Sequence, residues 1–246
     1  MDTKLTGKTR IESDLIGARE IPAEALYGVQ TLRGIENFSI SKFRLSEYPL
    51  FIKGLAITKM AAAMANFELG LLTVEQKDAI IAACGEIIDG KHHDQFPVDM
   101  IQGGAGTTTN MNANEVIANR ALELMGHERG EYQYCSPNDH VNCSQSTNDA
   151  YPTAIHIGMY FKHLQLLPHL EELIASFRKK GEEFSRIIKM GRTQLDDAVP
   201  MTLGQTFNGF ASILQDEIAH LNEAAADFLV VNMGCLLYTS DAADDK

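Results

Sequence analysis

A run of uncharged hydrogen-bonding side chains lies near the middle of the chain, over residues 136–149. Its densest part is Gln145-Ser146-Thr147-Asn148-Asp149, and apolar residues at helical spacing begin directly after it. One Ser, Thr or Asn before a helix can cap it by accepting a bond from a free N–H group. This stretch holds several such side chains where a cap needs one. It is therefore either a polar loop that contains a cap, or a cradle of donors that holds a small anion at the positive end of a helix.

Two further polar stretches precede helical patterns. Residues 103–112 read Gly-Gly-Ala-Gly-Thr-Thr-Thr-Asn-Met-Asn, and residues 191–200 read Gly-Arg-Thr-Gln-Leu-Asp-Asp-Ala-Val-Pro. Glycines let a backbone approach a ligand closely. The first stretch is not a P-loop, since no Lys follows it, and not a dinucleotide fingerprint, since Thr109 stands in place of the third Gly. What remains is a turn that delivers hydroxyls and amides to a helix, or simply a generous N-cap.

Composition argues against several classes of function. A net charge of −12 disfavours nucleic acid and anionic membrane surfaces as partners. No apolar run is long enough to span a membrane, and the N-terminus lacks the layout of a signal peptide. Four cysteines without a C-x-x-C pair are typical of free thiols in a reducing cytosol, so we expect a cytoplasmic protein. His92, His93 and Asp94 are adjacent in a loop, where neighbouring side chains seldom converge on one ion, and no metal site is predicted.

The apolar spacing predicts a mainly α protein. The expected helices cover residues 50–72, 73–90, 112–125, 152–191 and 203–229. Thr73 and Gln76 form a capping box for the second of these, and Pro168 is expected to interrupt or kink the fourth. No strand pattern occurs beyond a mixed N-terminal arm of residues 1–48. Long amphipathic helices of this kind belong to helical bundles.

Five motifs resemble those of the aspartase/fumarase superfamily, over roughly residues 10–234. They are Arg-Ile-Glu-Ser-Asp at 10–14, Tyr-Gly-Val-Gln-Thr-Leu-Arg at 27–33, Gly-Ala-Gly-Thr with Asn-Met-Asn at 104–112, Gln-Ser-Thr-Asn-Asp-Ala-Tyr-Pro at 145–152 and Gly-Arg-Thr-Gln at 191–194. Two details favour the aspartase branch. Thr147 stands where fumarases typically have a second Ser, and Gln194 stands where they have a His that helps to bind substrate in many relatives.

The resemblance implies a fold and a domain organisation. An N-terminal domain of mixed and helical structure, residues 1–140, would be followed by the first long helices of a central helical bundle, residues 141–234. Residues 235–246 resemble the translated read-through of a sequencing adapter, so we expect them to be a non-native tail. On this view the natural protein continues beyond Gly234, and the chain is an incomplete, inactive N-terminal portion.

The resemblance also implies an activity, the reversible elimination of ammonia from L-aspartate to give fumarate. By similarity, Thr107, Ser146 and Thr147 would hold the β-carboxylate and stabilise the aci-carboxylate intermediate. Thr193 would help to hold the α-carboxylate, and Asn148 with Gln194 would lie near the leaving amino group. Preorganised neutral donors suit this task because they need no water shell to reorganise. Residues 136–139 would correspond to a second, peripheral anion site known in fumarases.

No general base is predicted in this chain. In the superfamily the base is a Ser on a mobile Gly-Ser-Ser loop, which would lie beyond Gly234. His140 is the only imidazole in the polar stretches, and beside Asp139 it is more typical of a structural hydrogen-bond partner than of a proton-transfer group.

The resemblance implies a dicarboxylate substrate, a homotetramer and no required cofactor, and it leaves open whether a divalent metal activates the enzyme. Two alternatives remain. Fumarate hydratase would use the same cradle with water in place of ammonia. A non-catalytic helical scaffold, as among lens proteins of the superfamily, would need only helix caps at the three polar stretches.

Overall fold

The computed structural model describes residues 7–231 and residue 233, and it is mainly helical, with 61% of residues in helix. The helices are α1 (Val29–Asn37), α2 (Pro49–Glu68), α3 (Val74–Ile88), α4 (Thr107–Leu124), α5 (Thr147–Glu183) and α6 (Leu203–Ala226). Two antiparallel hairpins pair β1 (Thr9–Asp14) with β2 (Gly17–Pro22) and β3 (Ile188–Thr193) with β4 (Asp196–Thr202). The predicted fold class is confirmed, and the predicted tail at residues 235–246 lies outside the described residues.

Two compact units divide the described chain. The first runs to Gly158 and includes residues 231 and 233, and the second is Met159–Val230. Helix α5 begins in the first unit and continues into the second. The expected domain boundary between residues 140 and 141 stays a prediction.

The core of the first unit lies between α2, α3 and α4. Its fully buried side chains include Ile52 and Leu55 on α2, Ile80 and Ile87 on α3, and Ile117 on α4. The predicted Thr73/Gln76 capping box is present: the Thr73 side chain accepts from Gln76 N–H at 3.2 Å, and Thr73 N–H donates to Gln76 Oε1 at 3.0 Å. Satisfying two free N–H groups in this way fixes where α3 begins.

Helix α1 is held at its N-terminus by a carboxylate from α4. Glu115, 1% exposed, accepts backbone N–H bonds from Gly28 at 2.8 Å, Gln30 at 2.8 Å and Thr31 at 3.0 Å. A negative charge there complements the positive end of the helix. A Cβ on Gly28 would lie only 2.8 Å from the Glu115 carboxyl carbon, so this position requires glycine. The Tyr-Gly-Val-Gln motif therefore has a structural role in docking α1 on α4.

Helix α2 is long and apolar enough, by length and composition alone, to cross a membrane. Half of its most apolar stretch is buried, and α2 packs against α3 and α4. That environment is typical of a core helix. The expectation that the protein does not associate with membranes stays a prediction.

The second unit joins the later part of α5 to α6 through the β3–β4 hairpin. Rings from both helices pack together: Phe184 and Phe207 have centroids 5.4 Å apart, and Phe177 and Phe210 have centroids 5.7 Å apart. His163 on α5 contacts Asn222 Oδ1 on α6 at 2.9 Å. Thr202 and Gln205 form a capping box at the start of α6 that the sequence analysis did not identify.

Two sequence predictions about this region were wrong in detail. The fourth helix does not run to Gly191; α5 ends at Glu183, and Ile188 begins a strand. The expectation of no strands beyond the N-terminal arm fails at the same place, since β3 and β4 form a hairpin. Helix α5 continues through Pro168 without interruption, and a kink at this residue stays a prediction. In the first unit, α4 begins at Thr107, five residues before the predicted start at Asn112.

Candidate active site

The N-termini of α4 and α5 lie side by side in the first unit. Gly106 precedes α4 with φ 93°, and a Cβ there would collide with the ring of Tyr151 on α5. The Gln102 side chain occupies one N–H of the first turn of α4, since its Oε1 accepts from Thr109 N–H at 2.8 Å, so the N–H groups that this turn can offer to an anion are those of Thr107 and Thr108. Thr107 opens this helix and is exposed. The two helix ends therefore present backbone and hydroxyl donors on one side of the unit.

Ser146 and Thr147 stand at the corresponding end of α5. Ser146 N–H donates to Asp149 Oδ2 at 2.9 Å, and Ser146 Oγ accepts from Asn148 N–H at 3.2 Å. Thr147 Oγ1 accepts from Asn110 Nδ2 at 3.1 Å. A hydroxyl that accepts through its oxygen keeps its hydrogen for a separate partner. The hydrogens of both hydroxyls are thus not used in these bonds, and their donation to a substrate carboxylate stays a prediction.

A partly buried amide network supports this pair of helix ends. Asn110 Nδ2 also donates to Asn142 Oδ1 at 3.1 Å, and Lys59 Nζ donates to Asn142 Oδ1 at 2.8 Å and to Gln145 Oε1 at 3.0 Å. The Gln145 amide nitrogen in turn donates to the backbone oxygens of Val141 and Cys143. The side chain of Lys59 on α2 therefore holds the loop before α5 in place.

Lys59 is fully buried, and its electrostatic environment is unusual for a lysine. Burial lowers its pKa from 10.5 to about 7, and nearby groups, Cys84 and Asp149, act in the opposite direction. Burial also raises the pKa of the Cys84 thiol to about 12, so that thiol is neutral near pH 7. The carboxylate of Asp149 is then the charge that favours the ammonium form.

No individual role is predicted from the sequence for Lys59, Asn110, Asn142 or Gln145. The sequence does mark Lys59 as unusual, because it is one of few charged residues in the apolar run that forms α2. Its partners lie inside the quoted polar stretches, but which side chains of those stretches meet depends on how α2, α4 and the loop before α5 pack.

Thr193 and Gln194 belong to the second unit. Thr193 is the last residue of β3, and Gln194 and Leu195 form the two-residue turn to β4, with φ of 49° and 72°. Two positive φ values in a two-residue hairpin turn are typical of type I′, which usually takes Asn or Gly. Both predicted residues are exposed at the tip of the hairpin, and their substrate contacts stay predictions.

An open cleft of about 730 Å³ lies in the first unit beside the start of α4. Its lining includes Thr107, Thr108, Arg33, Ser136 and Asn138, so it contains one predicted substrate-binding residue and part of the predicted peripheral anion site. Arg33 is paired with Asp14 at 2.9 Å. The assignment of residues 136–139 to an anion site stays a prediction.

His140 makes structural contacts. Its Nδ1 accepts from Ser136 N–H at 2.7 Å, and its Nε2 lies 3.1 Å from Gln76 Nε2. Burial lowers its pKa, and Asp139 partly opposes that shift. These contacts agree with the expected role of a hydrogen-bond partner.

The adjacent histidines of the first unit also bind protein groups. His92 Nε2 contacts Glu86 Oε2 and His93 Nε2 contacts Ile87 O, each at 2.9 Å. No group of three or more His, Cys, Asp or Glu side chains that could hold a metal ion occurs within residues 7–231 and 233.

Comparison with protein families matches residues 17–246 to a family described as Lyase. The chain belongs to this lyase family. The resemblance drawn from the five motifs is confirmed.

Aspartate ammonia-lyases are among the relatives of this lyase chain. The enzyme from Pseudomonas canavaninivorans is 58% identical over 226 residues, which is 92% of this chain and 48% of the relative. The enzyme from Escherichia coli (strain K12) is 54% identical over 231 residues, which is 94% of this chain and 48% of the relative. The lyase chain thus spans about half the length of the curated relatives it matches.

Solved structures of the family have the same fold. A fumarate lyase:delta crystallin from Brucella melitensis bound to cobalt matches with a TM-score of 0.89 and 54% identity, over 92% of this chain and 49% of that one. A class II fumarase from Schistosoma mansoni matches with a TM-score of 0.85 and 36% identity, over 97% of this chain and 51% of that one.

Proposed function

We propose that the protein to which this chain belongs is an aspartate ammonia-lyase, which reversibly eliminates ammonia from L-aspartate to give fumarate. The observation that carries this proposal is the set of uncharged donors at the adjoining N-termini of α4 and α5. Similarity to aspartate ammonia-lyases at 54% and 58% identity supports the choice of substrate.

The chemistry accounts for the residue types. A base must remove a weakly acidic proton from the carbon beside the β-carboxylate, and the resulting aci-carboxylate carries extra negative charge. In the proposal Thr107, Ser146 and Thr147 donate to its oxygens. Such donors stabilise the transition state most where negative charge develops on the substrate and where water is excluded. Thr193 contributes to holding the α-carboxylate, and Asn148 and Gln194 lie near the amino group that leaves as ammonia.

The proposed enzyme needs more than the 246 residues given. The sequence contains no Gly-Ser-Ser segment for the serine base, and the lyase chain spans about half of its relatives. We therefore propose that the chain alone is inactive and that the complete enzyme is a cytoplasmic homotetramer without a required cofactor.

The test begins with the source DNA. The gene is sequenced across the codon for Gly234, and the complete reading frame is expressed and assayed for fumarate formation from L-aspartate by ultraviolet absorbance. Thr147→Val, which keeps the shape but removes the hydroxyl, should lower kcat roughly a hundredfold to a thousandfold, as for other single oxyanion donors.

The matched control is Thr58→Val on α2. The Thr58 hydroxyl is buried and donates to Gly54 O of its own helix at 2.9 Å, so its loss should leave turnover nearly unchanged. Equal activity of Thr147→Val and the wild-type enzyme would contradict the assigned role.

The second candidate function is fumarate hydratase, favoured by the structural likeness to a class II fumarase at 36% identity. Gln194 and Thr147 speak against it, because fumarases typically have His and Ser at these positions. Assaying L-malate in parallel separates the two reactions, and turnover of malate without turnover of aspartate would reject the ammonia-lyase.

A further inference from the structure

Lys59 is the one described lysine with 0% exposure, and its ammonium group faces the loop that precedes the proposed cradle. Its contacts run to Asn142 and Gln145, and Asn142 is in turn bonded to Asn110. Burying an ammonium group is costly unless it is hydrogen-bonded, so a buried lysine needs a compensating arrangement.

Below about pH 7, where Lys59 is protonated, its ammonium group can only donate hydrogen bonds. Both amides that face Lys59 must therefore present their oxygens to it, which fixes the orientation of each amide group. The nitrogen of Asn142 then points to Gln145 O at 3.0 Å, and the nitrogen of Gln145 points to Val141 O at 2.9 Å. Neither amide can flip without placing NH₂ against NH₃⁺.

The orientation of the Asn142 amide determines the orientation of Asn110, which contacts Thr147 in the proposed cradle. Because Asn142 Oδ1 is an acceptor, Asn110 must direct its NH₂ group towards it, and the other hydrogen of that group reaches Thr147 Oγ1. The Asn110 carbonyl oxygen is buried and has no partner within the described part of the chain, so it does not determine the orientation of this amide. The Thr147 hydroxyl oxygen therefore accepts a hydrogen bond from Asn110, and its hydrogen can donate to another group.

We infer that Lys59 is a positioning residue that fixes the direction of the chain Lys59–Asn142–Asn110–Thr147, so that the Thr147 hydroxyl donates to a substrate carboxylate. This inference rests on the proposed function only in naming the carboxylate. A purely structural lysine would stabilise the loop before α5 without affecting what Thr147 donates to.

A double-mutant cycle on the complete enzyme, assayed below pH 7 where Lys59 is protonated, separates the two roles. Lys59→Met retains the length of the side chain and removes every donor, and Thr147→Val removes the hydroxyl. If Lys59 acts through Thr147, Lys59→Met lowers kcat/KM for L-aspartate about tenfold in the wild-type background, as expected for one misdirected hydrogen bond. In the Thr147→Val background the same substitution should lower it by less than about twofold.

Equal losses in the two backgrounds would overturn the inference, since additivity means that Lys59 and Thr147 act independently. Lys77→Met, the same substitution on α3, is the matched control, because Lys77 pairs with Asp78 at the surface. It should leave kcat/KM unchanged in both backgrounds.

Asn110→Asp tests the same chain should Lys59→Met fail to fold, as judged by circular dichroism. A carboxylate has the shape of the amide but can only accept, so the Thr147 hydroxyl would turn to donate to it and be lost to the substrate. Asn110→Asp should then reduce kcat/KM about as much as Thr147→Val does, and full activity of this variant would overturn the inference.

Binding of succinate, an unreactive dicarboxylate, distinguishes failure of the positioning role from failure of the proposed function. Its affinity is measured by calorimetry for the same four members of the cycle. If the enzyme turns over neither aspartate nor malate but succinate binding is non-additive, the proposed function fails and the positioning role stands. If succinate does not bind and nothing is turned over, Thr147 holds no carboxylate and the inference fails too.

Discussion

At the scale of single residues, the site depends on a charge that no substrate touches. Lys59 lies in the core of the first unit, where burial lowers its pKa to about 7. Asp149, 3% exposed at the start of α5, and the amide oxygens of Asn142 and Gln145 compensate it. A buried lysine is usually destabilising, so the presence of this one agrees with a role in orienting the amides that it contacts.

The titration of Lys59 predicts how stability depends on pH. Its pKa is lowered on folding, so between about pH 7 and pH 10.5 the unfolded chain binds more protons than the folded one. The unfolding free energy of the wild type should therefore rise with pH across that window relative to Lys59→Met, and the difference should level off below pH 7.

Urea denaturation of both proteins over this pH range measures the difference. Met60→Leu, at the neighbouring position on α2, removes no titratable group, so its difference from the wild type should not vary with pH. A constant difference for Lys59→Met as well would show that Lys59 does not titrate in this window.

At the scale of elements, a buried carboxylate and a partly buried ion pair join helices that are distant in sequence. Glu115 on α4 receives three N–H groups from the start of α1, and Glu86 on α3 pairs with Arg120 on α4 at 2.6 Å. Both contacts involve α4, which lies between these helices and carries the first residue of the cradle, Thr107. Disturbing α4 should therefore affect stability and site geometry together.

Glu115→Gln should destabilise the protein by about 1–3 kcal/mol, because a glutamine has one acceptor oxygen where the carboxylate has two and turns an NH₂ group towards backbone donors. Chemical denaturation measures the loss. Glu68→Gln, at an exposed position at the end of α2, is the control and should change stability by less than about 0.5 kcal/mol. Equal stability of the two variants would show that α1 is held by other contacts.

The stability that the Glu86–Arg120 pair contributes should depend on pH. Hydrogen bonding from Arg120, the largest cause, and from His92 lowers the pKa of Glu86 from 4.5 to about 2, although partial burial opposes the shift. A carboxyl group with a lowered pKa contributes stability that is fully present above pH 4.5 and is lost as the pH falls through about 2.

The difference in unfolding free energy between the wild type and Glu86→Gln should therefore shrink between pH 5 and pH 2. Denaturation at a series of pH values measures it. A difference that stays constant over this range would mean that Glu86 is not stabilised by its partners.

At the scale of the whole molecule, the second unit buries few apolar side chains. Ile174, Ala211 and Ala225 are its buried hydrophobic residues, whereas Ile213 and Leu229 on the α6 side are more than 60% exposed. Contiguous exposed apolar surface favours association. The net charge of −12 opposes it, and salt screens that repulsion.

The 246-residue chain should therefore associate in solution, and more so at high salt. Light scattering should give a mass above the 27.1 kDa of one chain. Ile213→Lys should reduce the association, whereas Leu69→Lys, at a still more exposed position in the first unit, should not. A monodisperse 27.1 kDa species at all salt concentrations would contradict the prediction.

The sequence by itself determined the helical class, most helices of the first unit and the family. Apolar spacing and the Thr73/Gln76 capping box are local signals, so α3 could be placed to within a few residues. The polar stretches identified Thr107, Ser146, Thr147, Asn148, Thr193 and Gln194 as candidate substrate contacts because their residue types and order match the family.

Only the tertiary structure decided how those stretches are supported and where the helices end. The β3–β4 hairpin was missed because Ile187 and Ile188 continue the helical spacing of α5, and strand pairing with residues 196–202 is a non-local interaction. Lys59 was read as part of a buried helix, and its partners lie more than 80 residues later in the chain. Hydrogen-bond direction depends on which side chains meet in the fold, and spacing along the chain does not specify that.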